Sequence, residues 1–506
     1  MKIVFIYPNA GSQPGFNYGL AHMAGLLKQA GHTVTLWHLC EELAPLPDKA
    51  SFMAKLQAEH PDVVGFSVVT NQWEYTRTLA AWTREAGRGP VVLGGVHALA
   101  DPEGVLESGV IDYLFRGEAE EAFLEFVERL QNGQDLTGVR NLGYAANGSV
   151  QLNPIRPLPD LSSLPPKDYG ISDFQRLIDV KNGWVGLMSS RGCPYACTYC
   201  FNHQMVASYR RDLGCSFREL NYIRHVSIHS LMQEIDFLLR RYNNITTFIL
   251  DDDLFTYRKD FVLDFCAAYP RVSQLPFVIN AHVNFFDAEQ AEHLAKANCR
   301  IVKFGVESGS PRLRKEVLNR PMKNATIVEA IRTAEAQGLH SSVFLMLGLP
   351  GETREELLQT VDLMAEARPG RFRWSFFYPF PGTRACEIAA ESGAIDHARM
   401  AGLVNFTESS CLDFGPEQNL FLEKLGTVFP WFVNARSDCS AAGLYREQVQ
   451  ELLALDRTAW DSRRAGLLDQ DRELSRHCLN RGWRHYAVKY NPFMGVVSDY
   501  FEKSGT

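Results

Sequence analysis

Cys193, Cys197 and Cys200 fall within eight residues of the run GLMSSRGCPYACTYCFN. Three soft thiolates at this spacing can hold three irons of a [4Fe–4S] cube and leave the fourth iron without a protein ligand. Such an open iron can chelate a second molecule. A structural zinc site is the competing chemistry. It would want a fourth Cys or His, and His203 and Cys215 are the nearest candidates. The apolar lead-in WVGLM reads as a buried strand. The cysteines are therefore expected in a loop leaving a strand end, where α/β folds place their chemistry.

Other strand-like runs end on residues of chemical interest. In FGVESG, Glu307 and Ser308 follow a strand, and the carboxylate can accept hydrogen bonds from a ribose or an amine. In LGLPGET, Gly348 and Pro350 make a turn whose glycines permit close backbone approach, although Pro-Gly also makes an ordinary turn. Asp251, Asp252 and Asp253 follow TTFIL, and a divalent metal is a competing use for them. In the first third of the chain, four loops leave predicted strand ends, at 8–18, 67–73, 94–98 and 116–120. They carry Asn9, Ser67, Thr70, Gly94, Gly95, His97, Gly117 and Glu118. The glycine pair 94–95 lets backbone approach a large ligand, and the two hydroxyls suit amides or a nucleotide tail. The first of these loops, YPNAGSQPG, lacks the GxGxxG of a dinucleotide site.

The elements that must position these residues are of α/β class. Strands are predicted at 3–7, 33–37, 63–68, 91–93 and 113–115 with helical patterns between them, giving a doubly wound parallel sheet over 1–135. Asn147-Gly148 predicts a type I′ hairpin, and PIRPLPDLSSLPPKDYG is too proline-rich for regular structure, so 136–180 reads as hairpin and linker. A second block, 181–400, has six strand candidates separated by long helical patterns and predicts a partial (β/α)6 barrel. Residues 401–506 lack repeated strand signals and are expected to be mainly helical, capping the barrel, with Trp431, Trp483 and Tyr490 as candidate substrate contacts.

The 506 residues allow two to four domains. With 51 basic against 59 acidic side chains and no basic stripe, a nucleic-acid partner is not expected. The eleven cysteines are scattered apart from one cluster, which suits a reducing compartment. With no secretory leader and no transmembrane run, the expected location is cytoplasmic.

The cysteine loop, with Tyr199 before its last cysteine, closely resembles the radical S-adenosylmethionine (SAM) superfamily, and the likeness spans most of 181–400. It implies that Cys193, Cys197 and Cys200 ligate the cluster and that SAM chelates the open iron. It also implies SAM contacts from Tyr199, Asp252, Asp253, Glu307, Ser308, Gly348 and Pro350. The pattern PDVVGFSVVT, VVLGGVHA, DYLFRGEAE over about 1–135 looks like the Rossmann-like cobalamin-binding domain of the cobalamin-dependent members. That likeness implies corrinoid contacts from Asn9, Ser67, Thr70, Gly94, Gly95, His97, Gly117 and Glu118. The Asp-x-His-x2-Gly motif that brings histidine to cobalt in other cobalamin domains is missing. The corrinoid is expected with its benzimidazole tail off the metal and water or no protein ligand below.

The pairing implies transfer of a methyl group from methylcobalamin to an unactivated carbon of a small-molecule or lipid-like substrate. The cofactors would be a [4Fe–4S] cluster, SAM and cobalamin, with a low-potential donor such as flavodoxin or ferredoxin supplying electrons. A cyclase or ring-rearranging reaction without net methylation is the alternative, and the FGVESG and GLPGET turns look close to the cyclase branch. A cobalamin or redox sensor that has kept its fold is a further reading. A tRNA methylthiolation enzyme would ordinarily need a second cysteine cluster before residue 193, and Cys40 alone cannot supply one.

Overall fold

The computed structural model describes residues 1–403, 409–491 and 496–502. The strands are β1 (Lys2–Pro8), β2 (Thr33–Leu39), β3 (Val63–Ser67), β4 (Val91–Gly94), β5 (Tyr113–Phe115), β6 (Leu142–Ala146) and β7 (Ser149–Leu152) in one sheet. They are followed by β8 (Trp184–Leu187), β9 (Ser190–Arg191), β10 (Arg224–His225), β11 (Thr247–Leu250), β12 (Phe277–Ala281), β13 (Cys299–Glu307), β14 (His340–Leu347) and β15 (Arg371–Phe376). The last two are β16 (His485–Asn491) and β17 (Val496–Glu502). Contacts divide the chain into two compact units. One holds Met1–Ala196, Cys200–Phe248 and Phe380–Thr383, and the other Cys197–Tyr199, Ile249–Pro379 and Arg384–Thr506.

In the first unit the sheet order is β2-β1-β3-β4-β5-β6-β7, with β1 to β5 parallel. Alternation along β1 shows why both faces are covered. Ile3 and Phe5 pack with Leu20, Leu27, Phe123 and Phe126, while Val4 and Ile6 pack with Phe66, Leu79 and Val105. A strand buried on both sides reads as an unbroken apolar run, and VFI is one. The order reverses between β1 and β3, the switch point beside which open sheets of this kind bind ligands. The expected hairpin joins β6 and β7, with Asn147 and Gly148 at φ +52° and +73°. The linker carries more structure than its prolines suggest. A helix runs Phe174–Val180, capped by the Asp173 carboxylate on the Arg176 amide.

In the second unit the sheet order is β16-β17-β15-β14-β13-β12. The six strands β8 and β11–β15 are the six predicted for the barrel, and β12 to β15 pair in parallel. The start of β11 and all of β8 belong to the first unit, where the Thr246 and Thr247 amides donate to the Gly183 carbonyl. In the second unit Val302, Phe304 and Val306 of β13 are buried on one face. The other face carries Lys303, Gly305 and, past a bulge, Glu307.

The C-terminal part is helical from Pro416 to Asn480 but ends in a hairpin, β16–β17, that pairs antiparallel with the outer edge of β15. Asn434 anchors the hairpin, accepting from the Tyr486 amide and donating to its carbonyl, both at 2.8 Å. Trp431 is wholly buried, with its indole donating to Asp471 at 2.7 Å, and so belongs to the core. Trp483 is partly buried beside His477. The side chain of Tyr490 lies outside the described residues, as do residues 405–408. No disulfide joins any of the eleven cysteines. Among the described residues no helix is long and apolar enough to cross a membrane.

Candidate active site

The cysteine loop begins two residues after β9 opens. In the first unit, Gly192 takes φ +96°, and a Cβ there would meet the Tyr222 carbonyl oxygen at 2.4 Å, so no other residue fits before Cys193. Cys200 is the N-cap of the helix Phe201–Leu213, which ends on Gly214 at φ +65°. The positive end of that helix favours a thiolate at this position. Asn202 Nδ2 donates to the Cys200 sulfur at 3.7 Å, and the Tyr222 hydroxyl holds Asn202 through its Oδ1 at 2.5 Å. His203, one candidate fourth zinc ligand, turns its Nδ1 onto the Cys200 carbonyl at 2.5 Å.

A buried ion network lies just upstream of the loop, also in the first unit. Arg191 and Arg224 face each other across the short β9–β10 ladder, where two like charges repel. Glu118 sits between them, accepting from Arg191 Nη1 at 2.6 Å and from both terminal nitrogens of Arg224. Glu120 takes the other side of Arg191 at 2.8 Å. Burial alone would raise the Glu118 carboxyl, but the two guanidiniums overcome it and hold the pKa below its ordinary value. The Glu118 amide accepts no role in a ladder and donates to the Tyr209 hydroxyl at 2.8 Å, while Gly117 at φ +75° leaves room for that ring. Thus Glu118, read from sequence as a corrinoid contact, is engaged with the strand that leads into the cysteines.

In the second unit, Cys197 to Tyr199 is strapped to a turn far along the chain. Thr198 donates from its amide to the Leu318 carbonyl at 3.1 Å and from its hydroxyl to the Val317 carbonyl at 2.6 Å. That turn follows a π-helical stretch, Leu313–Val317, a local winding that recurs at functional sites. It delivers Arg320, whose Nη1 donates to the Cys197 sulfur at 3.4 Å and whose Nε and Nη2 both bind the Gly305 carbonyl. The Tyr199 hydroxyl donates to Glu307 Oε1 at 3.0 Å. Glu307 itself sits at φ +69° on the bulge of β13, a strained position for a residue with a Cβ. Burial pushes its carboxyl above the usual range, with Arg320 and Tyr199 offsetting part of the rise. Arg320 shows the reverse balance: burial disfavours its charge, but Tyr199, Glu307 and Cys197 hold it firmly protonated. Sequence reasoning missed Arg320, because nothing near residue 320 signals a partner 123 positions upstream.

The remaining predicted SAM residues lie in the same unit. Ser308 is buried, its Oγ accepting from the Ser310 amide at 3.2 Å. Asp252 is buried, with its carbonyl accepting from Asn280 Nδ2 at 2.9 Å, and Asp253 is exposed. Gly348 takes φ +74°, and Pro350 is buried. Glu352, which the sequence reading left without a role, organises that turn. Its Oε2 accepts from the Gly348 and Leu349 amides at 2.7 and 3.0 Å. Burial pushes its pKa up to about 8.

The loops at the carboxyl ends of the first sheet carry unspent polar atoms. Thr70 Oγ1, Gln13 Nε2 and both ring nitrogens of His97 are buried without a hydrogen-bond partner. Gly94 has open space where a Cβ would stand, and Gly95 at φ +92° presses its backbone onto Val68. Buried donors and acceptors are costly to leave unpaired, so these loops suit a ligand rich in amides and hydroxyls. His97 packs against Trp73 with ring centroids 5.0 Å apart and planes tilted by 39°, and burial lowers its pKa. Ser67 and Asn9 are spent internally, Ser67 accepting from Asn17 Nδ2 at 3.0 Å and Asn9 donating to the Gln13 carbonyl at 2.6 Å. Among the described residues no group of three or more His, Cys, Asp or Glu side chains is arranged for a single metal ion. A cube would take each sulfur at a different iron.

Comparison with known proteins agrees with this division of labour. Residues 187–364 match the model of the radical SAM superfamily, and residues 12–127 match that of the B12 binding domain. An uncharacterized methyltransferase of Pyrococcus horikoshii is 29% identical over 408 residues, covering 77% of this chain and 83% of its own. The anaerobic magnesium-protoporphyrin IX monomethyl ester cyclase of Rubrivivax gelatinosus is 26% identical over 399 residues, covering 75% of this chain and 68% of its own. Among solved structures, the radical SAM methyltransferase TsrM of Kitasatospora setae superposes with a TM-score of 0.62 at 19% identity, covering 77% of this chain and 76% of that one. The last likeness is one of fold.

Proposed function

This chain belongs to the cobalamin-dependent radical S-adenosylmethionine enzyme family, and on that basis we propose that it is a methyltransferase acting at an unactivated carbon of a small-molecule or lipid-like substrate. One observation carries the reading. A B12 binding domain and a radical SAM domain follow one another along a chain of which a methyltransferase relative covers 77%.

When bound, the cluster supplies an electron to SAM and the corrinoid supplies a carrier for the methyl group, the two hard steps of such chemistry. The work of the protein is to hold and position. Cys193, Cys197 and Cys200 hold the cube. Glu307, steered by Tyr199, offers its carboxylate to the ribose or amine of SAM, and Asp252 and Asp253 stand at the neighbouring strand end. The turn around Gly348 and Pro350 presents main chain to the adenine, held open by Glu352. Segment 1–135 carries the corrinoid on Thr70, Gly94, Gly95 and His97, segment 136–180 links it to the barrel of 181–400, and 401–506 shapes the substrate side. Glu307 and Asp252 are buried, and a site kept from water is what radical chemistry beside them would need. A low-potential flavodoxin or ferredoxin is the electron donor.

A second reading, cyclisation or rearrangement without net methylation, is favoured by the relative from R. gelatinosus and by the turns FGVESG and GLPGET. Anaerobic incubation with methyl-deuterated SAM, a corrinoid, a low-potential reductant and a metabolite extract separates the two. The transferase reading expects 5′-deoxyadenosine together with a product bearing the deuterated methyl. A new product without it supports the second reading. No cleavage of SAM contradicts both.

A further inference from the structure

We propose that Arg320 sets the reduction potential of the cluster through the sulfur of Cys197. This rests on the assignment of Cys197 as a cluster ligand. The guanidinium lies 3.4 Å from that sulfur and is 9% exposed, so solvent does little to screen its charge. It is also fixed in place. Two of its nitrogens converge on the Gly305 carbonyl, at 3.2 and 2.9 Å, and its own amide donates to the Arg314 carbonyl at 2.6 Å. The missing side chain of Gly305 makes the arrangement possible, because a Cβ there would stand 3.0 Å from Arg320 Nη2.

Reduction adds one electron to the cube, taken from an external donor, and the extra negative charge spreads onto its sulfurs. A fixed cation and an N–H donor at one of those sulfurs stabilise the reduced state more than the oxidised one and so raise the potential. At Cys200, the N-cap of the helix Phe201–Leu213, the donor is the neutral amide of Asn202, at a longer 3.7 Å. The two positions therefore differ in charge as well as distance, and the larger effect belongs to Arg320.

The test is a redox titration of the anaerobically reconstituted protein, without SAM, followed by electron paramagnetic resonance. Iron and sulfide are assayed first. Failure to assemble a cube in the wild-type protein would overturn the ligand assignment, whereas an intact cube leaves the role of Arg320 to be measured separately. At a fixed poise, Arg320→Met should lower the reduced-to-oxidised ratio about tenfold, equivalent to about 59 mV for a one-electron couple. Arg320→Lys should recover most of that loss, and Asn202→Ala should shift the ratio less than Arg320→Met. An Arg320→Met cube with the wild-type midpoint would overturn the proposal. Should that variant fail to assemble, wild-type protein labelled with guanidino-15N arginine decides it. Weak 15N coupling to the reduced cluster supports the contact, and its absence overturns it.

Discussion

Tyr199 donates its phenolic hydrogen to Glu307 Oε1 across 3.0 Å, joining the residue before the last cysteine of the motif to a strained bulge 108 positions later. The bond aims a buried carboxylate. Tyr199→Phe should leave the cluster intact but weaken SAM binding about tenfold, the usual scale for losing a hydrogen bond to a charged group. Equilibrium dialysis of labelled SAM against the reconstituted variant checks it, and unchanged affinity would remove Tyr199 from the SAM site.

Gly305 and Gly309 are both intolerant of a side chain, for different reasons. A Cβ at Gly305 would meet Glu307 Oε1 at 2.6 Å and the Arg320 guanidinium at 3.0 Å, both side-chain ends, so the clash falls on the site and not on the main chain. At Gly309 it would meet the Gln359 carbonyl oxygen at 2.3 Å and the Thr360 Cα at 2.4 Å, which are main chain. Gly305→Ala should therefore fold yet lose about a hundredfold in SAM cleavage through misplacement of the site. Gly309→Ala should fail in expression or thermal stability. Circular dichroism melts beside a 5′-deoxyadenosine assay separate the two.

Glu118 neutralises two arginines that would otherwise confront each other behind the cysteine loop. Glu118→Gln leaves that pair with Glu120 alone, and breaking a buried ion pair from one side costs about 3–5 kcal/mol. Urea denaturation of the variant should show this loss, with poorer iron retention because Arg191 lies two residues before Cys193. Wild-type stability would show that the network contributes little.

Much of this was legible in the sequence, and the exceptions share a cause. The cysteine spacing, the Asn147-Gly148 turn and the apolar strands are local signals, and local signals survive in one dimension. β13 was expected to stop near Gly305 and runs to Glu307, because a bulge at positive φ leaves no mark in residue type when the residue is glutamate. Arg320 and the partners of Glu118 are contacts between residues 73 to 123 positions apart. The C-terminal hairpin escaped because edge strands such as HYAVKYN need not alternate cleanly.

Glu352 predicts a pH dependence. Its pKa rises from an ordinary 4.5 to about 8 through burial, with the Gly348 and Leu349 amides and Arg312 opposing and Glu356 assisting. Between those values the folded state holds a proton that the unfolded state has lost, so stability is full at low pH and declines as pH rises toward 8. Glu352→Gln should remove that share of the decline. Melting temperatures of both proteins from pH 5 to pH 9 check it: the wild type should fall relative to the variant as pH rises to 8 and run parallel above it.

Everything proposed for this chain requires a three-cysteine cube with one open iron beside a bound corrinoid. Quantifying iron, sulfide and cobalt in the anaerobically reconstituted protein, and in single Cys193, Cys197 and Cys200 to Ala variants, tests it most directly. The wild type should hold a cube and one corrinoid per chain, with the cube lost and the corrinoid retained in each variant. A single zinc at these sulfurs, or no corrinoid uptake at all, would contradict it.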